Sequence, residues 1–192
     1  ITIANSISFL NNFAKSKREH CNTKILAITG SAGKTSLKDM LNFLLQKYSH
    51  TFASPKSFNN HYGVPLSLSN LNNEHKFGVF EVGMSRAGEI NKLSKIVKPN
   101  LAIITNIAEA HIENFKNLKG IAKAKSEIIK NIVDNGTVIL NRDDKFYHYL
   151  KKKAQLNKIK VTSFGKSKFA DIRLLKIKKN YNQTKAFISI EE

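Results

Sequence analysis

The stretch KILAITGSAGKTSLKDMLNFLLQKY, residues 24–48, carries the reading of the fold. Its first part, Lys24–Thr29, is a short apolar run that ends at Gly30. After the turn, Leu37, Met40, Leu41, Leu44, Leu45 and Tyr48 recur at helical spacing. Strand, loop and helix therefore follow in order, and the loop is Thr29-Gly30-Ser31-Ala32-Gly33-Lys34-Thr35. Glycines let backbone N–H groups close around phosphate oxygens, and the helix N-terminus adds favourable potential. Lys34 can neutralise outer phosphates, and the Thr35 hydroxyl can reach Mg²⁺. A plain glycine-rich turn with an exposed lysine is the alternative, and the strand and helix on either side argue against it. The loop is a short form, because Ile28 stands where the general pattern G-x-x-x-x-G-K-[ST] has its first glycine.

Outward from this unit the pattern repeats. Residues 77–82 and 101–105 are short, largely apolar runs, as strands covered on both faces of a parallel sheet should be. Ile90, Leu93, Ile96 and Val97 mark a helix that stops before Pro99. Leu118, Ile121, Ala122, Ile128, Ile129 and Ile132 mark another that stops near Gly136, and 137–140 supplies a further strand. Strands alternating with helices predict an α/β fold: a mostly parallel sheet of P-loop type with helices on both faces and right-handed crossovers. Beyond about residue 158 only strand-like pieces remain, at 160–164, 171–177 and 185–190, predicting a small, partly antiparallel β appendage at the C-terminal end. Residues 1–20 read as the end of a preceding domain or a linker, and 21–192 as one central domain within a longer protein.

Composition narrows the function classes. No uninterrupted apolar run approaches the roughly 18 residues of a membrane span, so no membrane insertion is expected. Cys21 is the single cysteine, which excludes an internal disulfide and suits the reducing cytoplasm. Thirty-two basic against 14 acidic side chains give a net charge of +18, a field that attracts nucleic acid or phosphorylated substrates. The lysines are scattered and not interleaved with aromatics as single-strand binders require, which favours a solvated Lys-rich surface over a nucleic-acid partner.

In an open parallel sheet, ligands gather outside the carboxyl ends of the strands. Polar groups follow every predicted strand: the phosphate loop, 54–61 after the strand near Thr51–Ala53, Glu81, 106–111, and 141–144. Glu81 closes the apolar run at Phe80, where an unpaired buried carboxylate costs on the order of several kcal/mol unless a cation balances it. Mg²⁺ is the economical cation, and a lysine partner is the alternative. His111 reads equally as a second metal ligand or as a surface or capping histidine. Lys125 occupies the one position skipped by the apolar stripe of its helix, so it is aimed at the core or the site. Snorkelling to solvent is the ordinary fate of such a lysine. A lowered pKa near the phosphates, permitting covalent modification, is the functional alternative.

Several segments together resemble the Mur ligase family, which includes folylpolyglutamate synthases. They are ITGSAGKT (28–35), SFNNHYGVP (57–65), FEVGM (80–84) with GEI (88–90), TNI (105–107), AHIE (110–113), IAKAKSEI (121–128), LNRDD (140–144), FG (164–165) and AD (170–171). Asn59-Asn60, Gly83-Met84 and Gly88-Glu89-Ile90 look most like the branch that adds D-alanyl-D-alanine to UDP-N-acetylmuramoyl-tripeptide. Ala87 and Lys116 depart from it, standing where proline and glycine are usual. The resemblance implies that Lys34 and the loop Gly30, Ser31, Ala32 and Gly33 hold the ATP phosphates, with Asn106 and Asn141 as further nucleotide contacts, Asn141 near the adenine. It implies Thr35 and Glu81 on one Mg²⁺, His111 on a second, and Lys125 carbamylated by CO₂ to help place that second metal. Asn59, Asn60 and His61 would face the nucleotide-sugar peptide.

The implied reaction phosphorylates the tripeptide carboxylate and lets the amine of D-alanyl-D-alanine attack the acyl phosphate. A uridine-binding domain before residue 1, an amine-carrying domain after residue 192 and a monomeric state are the matching expectations, and the chain alone should bind nucleotide weakly without ligating. A folylpolyglutamate-type amide ligase and a basic nucleic-acid-binding ATPase are the rival readings.

Overall fold

Period-two alternation in the strands decides which helix lies on which side of the sheet. The computed structural model describes residues 5–109 and 114–190. The elements run α1 (Ser6–His20), β1 (Lys24–Thr29), α2 (Lys34–Leu45), β2 (Thr51–Ala53), α3 (Gly63–Ser69), β3 (Phe77–Glu81), α4 (Glu89–Val97) and β4 (Leu101–Ile104). They continue with α5 (Leu118–Lys125), a 3₁₀ helix (Ser126–Asn131), β5 (Thr137–Asn141), α6 (Tyr147–Leu156), β6 (Lys160–Gly165), β7 (Ile172–Asn180) and β8 (Gln183–Ile190).

One eight-stranded sheet results, in the order β2-β3-β1-β4-β5-β6-β7-β8. All neighbours pair parallel except β7 and β8, which form the antiparallel appendage. Strands β6 and β7 overlap only at Phe164↔Ile172 and Gly165↔Arg173, so a short link suffices where full parallel overlap would need a crossover.

Ile25 and Ala27 of β1, Phe80 of β3, Ala102 and Ile104 of β4, and Val138 and Leu140 of β5 point into the larger core. There they meet Ala14, Val64, Leu68, Ile90, Leu93, Val97, Ile121, Ile128, Ile129 and Leu150 from the helices. The alternate residues Ile28, Val79 and Ile103 face the other way, onto Leu37, Leu41 and Leu45 of α2. Among the described residues α2 is thus the only helix packed on that second face.

The expected strands are all present. Three helices are additional: α1, α3 and α6. Within residues 1–20, α1 docks on α3 and α4, and the Arg18 guanidinium donates to the carbonyls of Val97 and Lys98 at 2.9 Å each. The stripe read as one helix over 118–132 is α-helical only to Lys125 and tightens into the 3₁₀ turn from Ser126. That tightening lets Glu127 accept from the amides of Gly88 (2.9 Å) and Asn91 (3.0 Å), satisfying the first turn of α4 from a distant element.

Candidate active site

The connection after β1 leads to one side of the sheet and the connection after β4 to the other. These two strands are neighbours, so the crevice at their carboxyl ends is a topological switch point. The loop after β1 turns at Gly30 (φ 149°), where an added Cβ would lie 1.8 Å from Thr105 Oγ1. It turns again at Gly33 (φ 79°), a left-handed residue that caps α2 with no side chain in the way. Lys34 and Thr35 then open α2.

Asn106, just past β4, grips this loop. Its Oδ1 accepts from the amides of Ser31 (3.2 Å) and Ala32 (3.0 Å), and its carbonyl accepts from Ser31 N at 3.0 Å. Thr105 Oγ1 donates to the Ala32 carbonyl at 2.7 Å, and Ser31 Oγ donates to the Ala108 carbonyl at 2.8 Å. Two of the amides expected to face phosphate are thus directed to Asn106 in this arrangement. The donors that helix geometry leaves without an intrahelical acceptor are those of the first turn of α2, from Gly33 onward. Lys34 Nζ sits over the loop, donating to the Gly30 carbonyl at 3.1 Å.

Glu81 ends β3 beside this turn and is 1% exposed. Its Oε2 accepts from Thr35 Oγ1 at 2.6 Å and its Oε1 from Asn59 Nδ2 at 2.7 Å. Neither of the two described ion pairs involves it, so the lysine partner considered from sequence is not what balances it among the described residues. A hydroxyl and a carboxylate in contact beside the phosphate loop are hard oxygen donors of the kind Mg²⁺ takes. Mg²⁺ commonly uses one or two carboxylates together with substrate phosphates and water. No group of three His, Cys, Asp or Glu occurs among the described residues, so this pair fits Mg²⁺ only in that shared mode. His111, the expected second ligand, lies outside the described residues.

Lys125, the last residue of α5, is 3% exposed and does not snorkel. Burial first, and the nearby charge of Lys34 second, lower its pKa from 10.5 to about 8. A cavity of about 360 Å³ opens between these elements, lined by Gly30, Ser31, Lys34, Asn59, Asn60, His61 and Lys125, with Met84, Ser85, Glu89, Lys92 and Leu93 completing its wall. Residues from α4, α5, the start of α2 and the loops after β1, β2 and β3 therefore meet in one place. Asn60 and His61 also have local roles: Asn60 Oδ1 accepts from the amides of Tyr62 and Gly63 at the start of α3, and the His61 ring packs 4.1 Å from that of Tyr62. Asn141 stands outside the cavity wall, accepting from Asp143 N at 3.0 Å with its Nδ2 3.5 Å from the Thr105 carbonyl.

Sequence reading missed Lys38, which is 1% exposed on α2, and Lys92 of the cavity wall. Lys38 follows Lys34 by one helical turn, a spacing that could have pointed to it. Nothing in the sequence distinguishes Lys92 from other surface lysines.

Comparison with known proteins agrees with this fold. The family model of the Mur ligase middle domain matches residues 28–192. The UDP-N-acetylmuramoyl-tripeptide–D-alanyl-D-alanine ligase of Rickettsia prowazekii is 42% identical over 176 residues, covering 91% of this chain and 39% of that protein. MurF from Acinetobacter baumannii superposes with a TM-score of 0.92 at 32% identity, over 99% of this chain and 41% of that one. MurF from Thermotoga maritima, crystallised with ADP, superposes with a TM-score of 0.88 at 29% identity, over 99% of this chain and 43% of that one. The chain thus spans about two fifths of the length of these relatives. With a phosphate loop at the switch point of the sheet and a family model matching most of its length, this chain belongs to the Mur ligase middle domain family.

Proposed function

We propose that this chain is the ATP-binding part of an amide ligase that adds D-alanyl-D-alanine to UDP-N-acetylmuramoyl-tripeptide in peptidoglycan precursor synthesis. The observation that carries the reading is that Lys34, buried Lys125, Asn59, Asn60 and His61 line one cavity, with the Thr35–Glu81 pair joined to that lining through Asn59. The first-turn amides of α2 and Lys34 bind the β- and γ-phosphates, and Thr35 and Glu81 would hold Mg²⁺, which would supply charge screening for those phosphates. Asn59, Asn60 and His61 face the acceptor peptide. Lys34 stabilises charge on the phosphoryl group as it moves to the peptide carboxylate, so catalysis is mainly alignment and electrostatics.

With its pKa near 8, Lys125 holds about a tenth of its amine in the neutral form at pH 7, far more than an ordinary lysine does. That amine adds to CO₂ with loss of a proton, and the resulting carbamate, an anion beside Lys34, would help His111 place a second Mg²⁺. Asn106 and Asn141 border the nucleotide. Further domains would bind the uridine nucleotide and present the dipeptide, and the greater length of the relatives leaves room for them. A monomer working in the cytoplasm, where ATP and precursor are made, completes the proposal. No described helix is long and apolar enough to cross a membrane.

The test is ATP consumption by the protein in its natural length, with UDP-N-acetylmuramoyl-tripeptide, with and without D-alanyl-D-alanine, beside Lys34→Ala. Phosphate release that requires both substrates and Lys34 is the expected result. Indifference to both substrates would reject the assignment and redirect the search to folates and nucleic acids.

A further inference from the structure

Lys38 lies one helical turn beyond Lys34 on α2, is 1% exposed, and has no part in the chemistry above. Its ammonium donates to the Ser54 carbonyl at 2.8 Å and to the Lys56 carbonyl, with Asp39 Oδ1 at 3.4 Å. Two of the three ammonium protons thus have carbonyl acceptors, and Asp39 adds only an ion-pair contact. Both carbonyls belong to the chain leaving β2.

That chain leads directly to the site. Lys56 stands at φ 45°, a left-handed conformation that a lysine keeps only when its surroundings hold it there. The carbonyl it presents to Lys38 is part of that hold. Phe58 N then closes a turn onto the Pro55 carbonyl at 3.0 Å. Asn59 follows, its carbonyl accepting from Gly83 N at 2.8 Å and its side chain donating to Glu81. Ser54, at the other end of the turn, donates its amide to the Val79 carbonyl and accepts from Glu81 N through Oγ at 3.3 Å. A methionine or leucine beside Leu37 and Leu41 would fill the same space without a buried charge. A charge retained in such a place sets register more than it adds stability.

We infer that Lys38 is a positioning residue: it pins the 54–56 turn to α2 so that Asn59 meets Glu81, and thereby aims the Glu81 carboxylate at Thr35. It touches neither nucleotide nor metal and acts on Mg²⁺-nucleotide through Asn59. The inference rests on the proposed role of Thr35 and Glu81 in holding Mg²⁺.

The experiment is a double-mutant cycle of Lys38→Met and Asn59→Ala in the 192-residue chain. It reads the affinity of a fluorescent ATP analogue in Mg²⁺ and in EDTA, beside urea unfolding. Lys38→Met is expected to bind in EDTA as the wild type does, because Lys34 and its loop are intact. It should lose about tenfold or more of the tightening that Mg²⁺ supplies, the scale seen when partners orienting a metal ligand are removed. The double variant should be no worse than Asn59→Ala alone. Should Lys38→Met not fold, Lys38→Arg carries the same cycle and the same expectation, since its planar fork cannot aim at two converging carbonyls as a compact ammonium does. Full Mg²⁺ tightening in the folded variant, or losses that multiply with those of Asn59→Ala, would overturn the inference. A wild-type chain that binds the analogue without any help from Mg²⁺ would remove the reading beneath it.

Discussion

Replacing Lys125 by methionine tests the electrostatics of the site without any ligand. The buried amine titrates at about 8 in the folded chain and at 10.5 as an ordinary lysine. Between those values the unfolded chain holds more protons than the folded one, so this group makes stability rise with pH from about 8 to 10.5. Below that window it is charged in both states, and folding bears the full cost of burying it. At roughly 1.4 kcal/mol per pH unit the cost is about 3 kcal/mol. Methionine has similar length and no charge, so Lys125→Met is expected to be more stable than wild type by about that amount at pH 7. The melting temperature should rise by roughly 6–12 °C for a domain of this size. The measurement is urea unfolding of both proteins at intervals from pH 7 to 10.5, in CO₂-free buffer so that the amine stays unmodified. Subtracting one curve from the other cancels the many exposed lysines. The advantage of the variant should shrink toward zero as pH rises through the window. Parallel curves, or a less stable variant at pH 7, would refute the reasoning that desolvation dominates at Lys125.

Three further outcomes follow from named contacts. Gly30→Ala would drive a Cβ into Thr105 at a backbone angle that disfavours side chains, so stability should fall by roughly 3 kcal/mol or more, read by urea unfolding, with nucleotide affinity lost. Glu81→Gln keeps acceptor and donor positions for Asn59 and Thr35. It should leave the melting temperature within a few degrees while removing about tenfold or more of the Mg²⁺ dependence of nucleotide binding, as titration in Mg²⁺ against EDTA would register. Glu127→Ala strips the acceptors from Gly88 N and Asn91 N and should cost about 1–2 kcal/mol in equilibrium unfolding, with little change in nucleotide affinity.

Sequence alone determined the layered α/β architecture. The short apolar runs and the helical stripes of α2 and α4 are local periodicities, and they survive any tertiary arrangement. The phosphate loop was legible for the same reason, since Gly30, Gly33, Lys34 and Thr35 are contiguous and their chemistry is set by one turn between a strand and a helix. Less legible were α1, with Ala14 its only buried residue, and α6, whose buried Tyr147, Leu150 and Ala154 are masked by Lys151, Lys152 and Lys153. The pairing of distant groups emerged only with the chain folded. That Asn106 takes the amides of Ser31 and Ala32, that Glu127 caps α4, that Glu81 is shared by Thr35 and Asn59, and that Lys38 is buried on the 54–56 turn are contacts across 16 or more residues. Such pairings depend on strand order and register, which place β3 and β4 on either side of β1. No local pattern encodes that adjacency, because it arises from burying both faces of the sheet at once.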